Sequence, residues 1–168
     1  MNALHRASNS LRTHSSVPRS HSCERLGRIA GLLTCLILAV TAQTPSRTIW
    51  DGIYTEEQSK RGQPLYAKEC ASCHGDMLTG GEQAPALAGG EFLSNWNGLS
   101  VGDLFERVRK TMPLNKPGKL SREVNADIVA FMLAVNKFPA GKSELSHSTE
   151  TLNQIRIEAT KPDEGEKK

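Results

Sequence analysis

The sequence predicts an all-α domain of three main helices joined by long loops. Each helix begins after a residue whose side chain can cap its first turn, namely Thr55, Ser100 or Ser121, and continues with apolar residues at helical spacing. All eight aromatic residues lie within residues 50–138, and we predict that the domain covers residues 50–141. A protein core of this size is marginal by itself, so the composition favours a core completed by a cofactor.

The first helix is predicted to run from Glu56 to Glu69. Thr55 is a suitable N-cap, and the two glutamates that follow it stabilise the positive end of the helix dipole. Pro64 lacks an amide donor and crowds the preceding turn, so we expect a kink or a break near it. The helix leads directly into Cys70.

A long loop and a second helix follow. Residues 75–100 are rich in Gly, Ala, Pro and Asn and predict a wrapping loop with one short turn at 91–95. The second helix begins at a capping-box-like start at Ser100 and ends near Thr111, because Pro113 cannot continue it.

The third helix begins after the cap Ser121 and ends near Asn136. Its apolar stripe consists of Val124, Ile128, Phe131 and Val135. Residues 142–168 contain no aromatic residue, so they predict a polar, flexible C-terminal tail with at most a short helix near 150–159.

The motif Cys70-Ala71-Ser72-Cys73-His74 carries the strongest chemical signal. It has the form C-x-x-C-H, which is the attachment site of a c-type haem. Two thiols three residues apart lie on one helical turn and can both add to the vinyl groups at one porphyrin edge. The adjacent imidazole is then held where it can bind iron. We therefore predict one covalently bound haem c per chain, held by Cys70, Cys73 and His74.

Two other chemistries use closely spaced cysteines. A structural zinc site needs four Cys or His ligands. Within residues 43–168, the only further candidate beyond the motif is the remote His147. A redox-active disulfide needs a βαβ context, which the surrounding sequence does not predict. Haem attachment is the favoured interpretation, with zinc and a redox disulfide as the alternatives.

A second iron ligand decides between electron transfer and ligand-binding chemistry. The candidates are Met77, Met112, Met132 and His147. Met77 is too close to His74 to reach the opposite face, Met132 lies beside the core stripe, and His147 lies in the predicted tail. Met112 ends the second helix directly before Pro113, which favours a non-helical backbone there. We predict that Met112 is the second ligand, and core packing is the alternative for it.

The N-terminus predicts an export signal over residues 1–42. Five arginines against one acid precede an apolar run at residues 29–40, and small residues predict cleavage after Ala42. The run is short for a membrane span, so without the signal no transmembrane segment is expected, although an uncleaved membrane anchor is the alternative. Cleavage leaves 16 basic and 17 acidic residues, a net charge of −1, which argues against nucleic-acid binding.

These residues together resemble the class I cytochrome c family in its bacterial monohaem form. The resemblance covers residues 50–140 and rests on Gly62, Tyr66 and Cys70 at four-residue spacing, on the haem motif, on Thr111-Met112-Pro113 and on the last helix. It implies the class I cytochrome c fold, with helices and loops wrapped around the haem and the first and last helices crossing near Gly62.

The resemblance also implies roles for residues around the haem. The Pro85 carbonyl would accept a hydrogen bond from the other ring nitrogen of His74. Trp96 would donate to a haem propionate, and Arg107 or Arg109 would pair with the same group. The segments at 50–55 and 95–98 are similar to small haem domains associated with quinoprotein alcohol dehydrogenases.

The implied function is that of a periplasmic or secreted electron carrier and not of an enzyme. Its partners would be redox proteins, such as a quinoprotein dehydrogenase or a terminal oxidase, and it would be a monomer or a subunit of a complex. One alternative is a haem-containing electron-entry subunit of a dehydrogenase or oxidase. Another is a haem enzyme or gas sensor with a labile sixth ligand.

Overall fold

A computed structural model describes residues 47–82 and 84–162, and the predicted export signal lies outside this part of the chain. The described residues are mainly helical, which confirms the all-α class. None of their helices is long and apolar enough to cross a membrane. The elements in chain order are β1 (Arg47–Thr48), α1 (Glu56–Glu69), α2 (Ala71–His74), α3 (Gly89–Trp96), α4 (Val101–Thr111), α5 (Arg122–Val135), α6 (Thr149–Leu152) and β2 (Ile155–Arg156).

The three predicted N-caps are present and explain where the main helices begin. Thr55 Oγ1 accepts from the amide of Gln58 at 3.1 Å, and Ser121 Oγ accepts from the third residue of α5. Ser100 forms a reciprocal capping box with Asp103, in which each side chain accepts from the backbone amide of the other. These contacts satisfy amides that no helical carbonyl can reach.

Helices α1 and α5 form the most extensive helix–helix contact of the fold. They approach most closely at Gly62, which is buried against the backbone carbonyl of Asp127 and the Cβ of Phe131. A Cβ at position 62 would overlap that carbonyl. The crossing near Gly62 is therefore the physical reason for a glycine in the middle of α1, where glycine is otherwise unfavourable.

The Gly62→Ala variant is expected to be destabilised by roughly 1–3 kcal/mol, because the two helices must separate to admit the methyl group. Urea unfolding of the holoprotein would measure the loss. Gly90→Ala is the matched control, since Gly90 also lies in a helix but has open space around its Cβ position. Equal stability of the two variants would contradict the role assigned to the crossing.

Helix α1 continues through Pro64, so of the two outcomes predicted at this proline, a kink or a break, the break is wrong. The chain instead changes direction at Cys70, whose backbone (φ −129°, ψ −37°) separates α1 from α2. Pro64 is exposed, and the packing of α1 along α5 offsets the hydrogen bond that proline cannot make.

The region predicted as one loop contains an additional helix. Helix α3 covers Gly89–Trp96 and extends beyond the short turn predicted at 91–95. Its Phe92 is fully buried, which supplies the tertiary contact that holds this glycine-rich segment in helical form. The remaining loop, residues 75–88, is correspondingly shorter.

The predicted flexible tail is also corrected, because residues 142–162 pack onto the domain. Apolar side chains spaced along this segment, at Leu145, Leu152, Ile155 and Ile157, are each at most 3% exposed. Helix α6 and strand β2 replace the short helix predicted near 150–159. The composition of the segment is too polar for a core of its own, but it docks on apolar surface that the other helices provide.

Hydrogen bonds from the backbone and from side chains attach this C-terminal segment to the rest of the domain at several points. β2 pairs in parallel with β1, and Ile157 exchanges two backbone hydrogen bonds with the loop after α3, at 2.7 and 2.8 Å. The buried Gln58 side chain of α1 bonds both the amide and the carbonyl of Leu145, at 2.6 and 3.1 Å. The indole of Trp50 donates to the Glu158 carbonyl at 2.9 Å.

Candidate functional site

The two motif cysteines lie at the junction between α1 and α2. Cys70 is partly buried at the end of α1, whereas Cys73 is exposed on α2, and neither forms a disulfide. Burial, with a smaller contribution from Glu69, raises the pKa of the Cys70 thiol to about 11. Redox-active cysteines have the opposite shift, so this environment disfavours the redox-disulfide alternative.

His74 is the last residue of α2 and is only 8% exposed. Its Nδ1 lies 2.8 Å from the backbone carbonyl oxygen of Pro85. A carbonyl can only accept, so Nδ1 carries a proton, and in the neutral imidazole Nε2 is then the nitrogen with the lone pair. Nε2 has no hydrogen-bond partner among the described residues, which leaves it available as a metal ligand. The His74–Pro85 hydrogen bond implied by the family resemblance is present.

The loop that carries Pro85 turns back onto α2 through two left-handed residues. Gly80 (φ 74°) donates to the carbonyl of His74 at 2.9 Å, and a Cβ on it would overlap the backbone of Ala84 and Ala86. Leu78 has φ 59° although it is fully buried, a conformation that costs a branched residue energy. The close turn therefore requires glycine at position 80, and it brings the Pro85 carbonyl to the imidazole.

Tyr66 of α1 binds the residue that directly follows the motif. Its hydroxyl donates to the carbonyl of Gly75 at 2.7 Å, directly after His74, and its ring contacts Phe131 of α5 with centroids 5.4 Å apart. Burial raises the pKa of Tyr66 to about 12, so the phenol remains a donor. Tyr66 thus connects the end of α2, the helix that carries Cys73 and His74, to α1 and α5.

Met112 is presented by a different element, the end of α4. It is the C-cap of that helix, with an extended backbone (φ −120°, ψ 156°) and an amide that donates to the Val108 carbonyl at 2.9 Å. Its side chain is partly buried, and Pro113 after it is buried. The extended backbone expected from the following proline is confirmed.

The other candidates for the second ligand have different environments. Met132 is 1% exposed within the core, Met77 is 73% exposed, and His147 lies on the surface, with Nε2 3.7 Å from Glu123. The packing interpretation of Met132 is thereby confirmed. Among the described residues, no group of three or more His, Cys, Asp and Glu side chains is arranged to hold a metal ion.

A model of the family described as cytochrome c oxidase, cbb3-type, subunit III, matches residues 57–132. The match includes α1, the haem motif, the His74–Pro85 pair, Met112 and most of α5. The chain contains a class I c-type cytochrome domain. The cytochrome family implies haem as the cofactor.

One solved structure is also similar to the chain: the crystal structure of the sulfane dehydrogenase SoxCD from Paracoccus pantotrophus. The two chains are 25% identical, with a TM-score of 0.45, and the similarity covers 68% of this chain and 66% of that one. The similarity thus spans slightly less than two thirds of the SoxCD chain. No curated protein matches the chain at a significant level.

The donor set of the cytochrome domain fits haem. Two free thiols have the C-x-x-C sequence spacing of a haem attachment site, and the imidazole that follows them engages Pro85 through Nδ1, which leaves Nε2 available. A thioether lies at the end of α4, in the segment matched by the family model. A large exposed apolar side chain lies shortly after each predicted iron ligand in the sequence. Met77, three residues after His74, is 73% exposed, and Leu114, two residues after Met112, is 80% exposed.

The residues predicted to bind a haem propionate differ in whether they already pair with another group of the protein. Trp96 ends α3, partly buried, with its ring centroid 6.4 Å from that of Phe92, and its role toward haem stays a prediction. Arg109 forms a two-point ion pair with Glu106 at 2.8 and 3.1 Å. Because this guanidinium is already paired, Arg107 is the better of the two predicted arginines.

Sequence reasoning missed the role of Asn136, which joins the end of α5 to the segment between the haem motif and α3. Its amide nitrogen donates to the Leu87 carbonyl at 3.0 Å, and its amide oxygen accepts from the Gly89 amide at 2.9 Å. The sequence predicts Asn136 only as the end of the third helix. An asparagine at a helix C-cap gives no local signal that its side chain bonds a loop about fifty residues earlier.

Proposed function

We propose that this chain is an exported cytochrome c that binds one covalently attached haem and carries single electrons between redox partner proteins. The observation that carries the proposal is the His74–Pro85 hydrogen bond, which leaves Nε2 as the metal-binding nitrogen beside two unpaired thiols. When bound, haem supplies reversible one-electron exchange between ferrous and ferric iron.

The residues of the chain hold and tune that group. Cys70 and Cys73 would bind it through thioether bonds, and His74 would bind iron through Nε2. The Pro85 carbonyl fixes the tautomer and ring orientation of His74 and makes Nε2 a stronger donor. Tyr66, which is buried in α1, holds the end of the motif through its hydrogen bond to the Gly75 carbonyl.

Met112 would complete the iron coordination from the end of α4. A thioether is a neutral, soft ligand that favours ferrous iron, so it raises the reduction potential. It also prevents exogenous ligands from binding unless they displace it. This combination suits electron transfer and does not suit bond-making chemistry.

The proposed location and partners follow from the sequence. The predicted signal at residues 1–42 supports a periplasmic or secreted protein, with an uncleaved membrane anchor as the alternative. Its partners would be a dehydrogenase that donates electrons or an oxidase that accepts them. The family model is consistent with the second of these, since its description names an oxidase subunit.

A second candidate function is that of an electron-entry subunit held permanently in an oxidoreductase. The exposed Met77 and Leu114 favour it, because apolar residues next to both predicted ligands suit a lasting interface. A subunit of this kind would co-purify with its larger partner at a fixed ratio. A free carrier would be recovered as a single small protein.

A visible spectrum of the exported, matured protein in both oxidation states tests the proposal. We expect a haem c spectrum, haem that remains in the polypeptide after acid–organic extraction, and no spectral change when carbon monoxide is added to the reduced protein at neutral pH. A colourless protein would overturn the assignment. Ready binding of carbon monoxide would favour a haem enzyme or gas sensor with a labile sixth ligand.

A further inference from the structure

The carboxylate of Glu106 joins its own helix, α4, to Thr149 of α6 and, at 3.5 Å, to Arg122 of α5. It lies six residues before Met112, and its side chain is 18% exposed. It accepts from Arg109 at 2.8 and 3.1 Å and from Lys110 at 2.9 Å, both in the last turn of α4. It also accepts from the Thr149 hydroxyl at 2.7 Å, at the first residue of α6.

Arg122, the first residue of α5, completes this network. Its Nη2 donates to Thr149 Oγ1 at 2.5 Å, and its Nε donates to the His147 carbonyl at 2.7 Å. The same guanidinium lies 5.1 Å from the ring centroid of Phe105, a buried residue of α4. The Thr149 hydroxyl therefore accepts from Arg122 and donates to Glu106, so it links the C-terminal segment to both helices.

The electrostatics make Glu106 a permanent anion. Its hydrogen bonds from Arg109 and then from Thr149, followed by that from Lys110, hold the pKa of this carboxyl well below its usual range. Charge-assisted hydrogen bonds are about twice as strong as neutral ones. Glu106 is therefore ionised at neutral pH, and its hydrogen bonds to the last turn of α4 are charge-assisted.

Thr149 lies outside residues 57–132, the part of the chain that the cytochrome family model matches. The network thus joins the matched domain to a segment that follows it, and this segment is also held at Leu145 and at β2. The network contacts α4, and the last turn of that helix holds Met112 through the hydrogen bond from the Met112 amide to the Val108 carbonyl.

We propose that Glu106 and Thr149 are positioning residues through which the C-terminal segment holds the end of α4 and keeps Met112 at the iron. This inference rests on the proposed function, in which Met112 is the second ligand. The Glu106–Thr149 contact raises the free energy needed to move Met112 away, and therefore the barrier to exogenous ligands. Neither residue is among the predicted haem-binding residues or iron ligands.

The test compares Thr149→Val with Thr149→Ser in the ferric holoprotein. Valine keeps the shape of threonine and removes the hydroxyl, whereas serine keeps the hydroxyl. Imidazole is the probe, because it can occupy iron only when the thioether leaves. We expect Thr149→Val to bind imidazole about tenfold more tightly than wild type, the change that follows from losing one hydrogen bond to a charged group. Thr149→Ser should behave like wild type.

A second variant and a control complete the design. Glu106→Gln, which removes the charge, should shift imidazole affinity in the same direction as Thr149→Val. Glu123→Gln is the matched control, since Glu123 is also an acid paired with the C-terminal segment, through His147, but is not part of the network. If Thr149→Val and Glu106→Gln bind imidazole no more tightly than Glu123→Gln, the proposed positioning role is wrong.

The near-infrared band of the ferric protein, which reports a thioether–iron bond, separates this failure from failure of the proposed function. If wild type lacks the band, Met112 is not the ligand and both proposals fall. If wild type has the band but valine at position 149 changes neither the band nor the imidazole affinity, only the positioning role falls. Circular dichroism of each variant would confirm that the helices remain folded during the comparison.

Discussion

A Cys70→Ala/Cys73→Ala variant should yield a polypeptide that retains no haem after denaturation. Both thiols are unpaired, and they lie on either side of the junction that leads to the available Nε2 of His74. Without them, only coordination bonds and packing would hold the cofactor, and these are lost when the chain unfolds. Haem staining of the protein after denaturing electrophoresis would measure retention.

Ser72→Ala is the matched control for this prediction. Ser72 lies between the two cysteines and is exposed, so its replacement perturbs the same helix without removing a thiol. It should retain haem at the wild-type level. Retention of haem by the double cysteine variant would show that the cofactor is attached elsewhere or not covalently, and would remove the basis for the C-x-x-C-H assignment.

Replacing Met112 with alanine should produce the second-largest effect, a fall in reduction potential on the order of 100 mV, within the range of about 0.8 V over which axial ligands set haem potentials. Loss of the thioether removes the ligand that favours ferrous iron and opens a coordination position. The reduced variant should then bind carbon monoxide, in contrast to wild type. Redox titration and a carbon monoxide difference spectrum would measure the two effects.

The other methionines provide controls for Met112. Met132→Leu should lower stability slightly and leave the potential unchanged, because Met132 is buried in the core. Met77→Leu changes an exposed thioether close to the motif and should alter neither property. If Met77→Leu or Met132→Leu, and not Met112→Ala, lowered the potential and opened the iron, the ligand assignment would have to move to that residue.

The C-terminal segment shows why composition misled the sequence interpretation. Leu145, Leu152 and Ile157 are widely spaced apolar residues in a polar segment, which by itself is too polar to form a core. Each is nevertheless at most 3% exposed, because α1, α4 and the loop after α3 supply the missing surface. Burial of such a side chain contributes roughly 1.5–3 kcal/mol, so a few of them can order a polar segment.

Pro64 and α3 illustrate the same limit on a smaller scale. The proline rule considers only the helix that contains the residue, whereas α1 gains its stability from the whole contact with α5. The glycine-rich start of α3 has low helix propensity, and burial of Phe92 overcomes it. In both cases a tertiary contact outweighs a local preference of about 1–3 kcal/mol.

The sequence by itself determined the three main helices, their caps and the chemistry of the motif, because these depend on residues within a few positions of one another. Thr55, Ser100 and Ser121 cap helices through contacts three residues away, and Cys70, Cys73 and His74 occupy one turn. The tertiary structure alone decided how the C-terminal segment is used. Its links from Gln58 to Leu145 and from Glu106 to Thr149 join residues 87 and 43 positions apart. No local pattern encodes such pairs, since they form only when the packed helices bring distant groups within hydrogen-bonding distance.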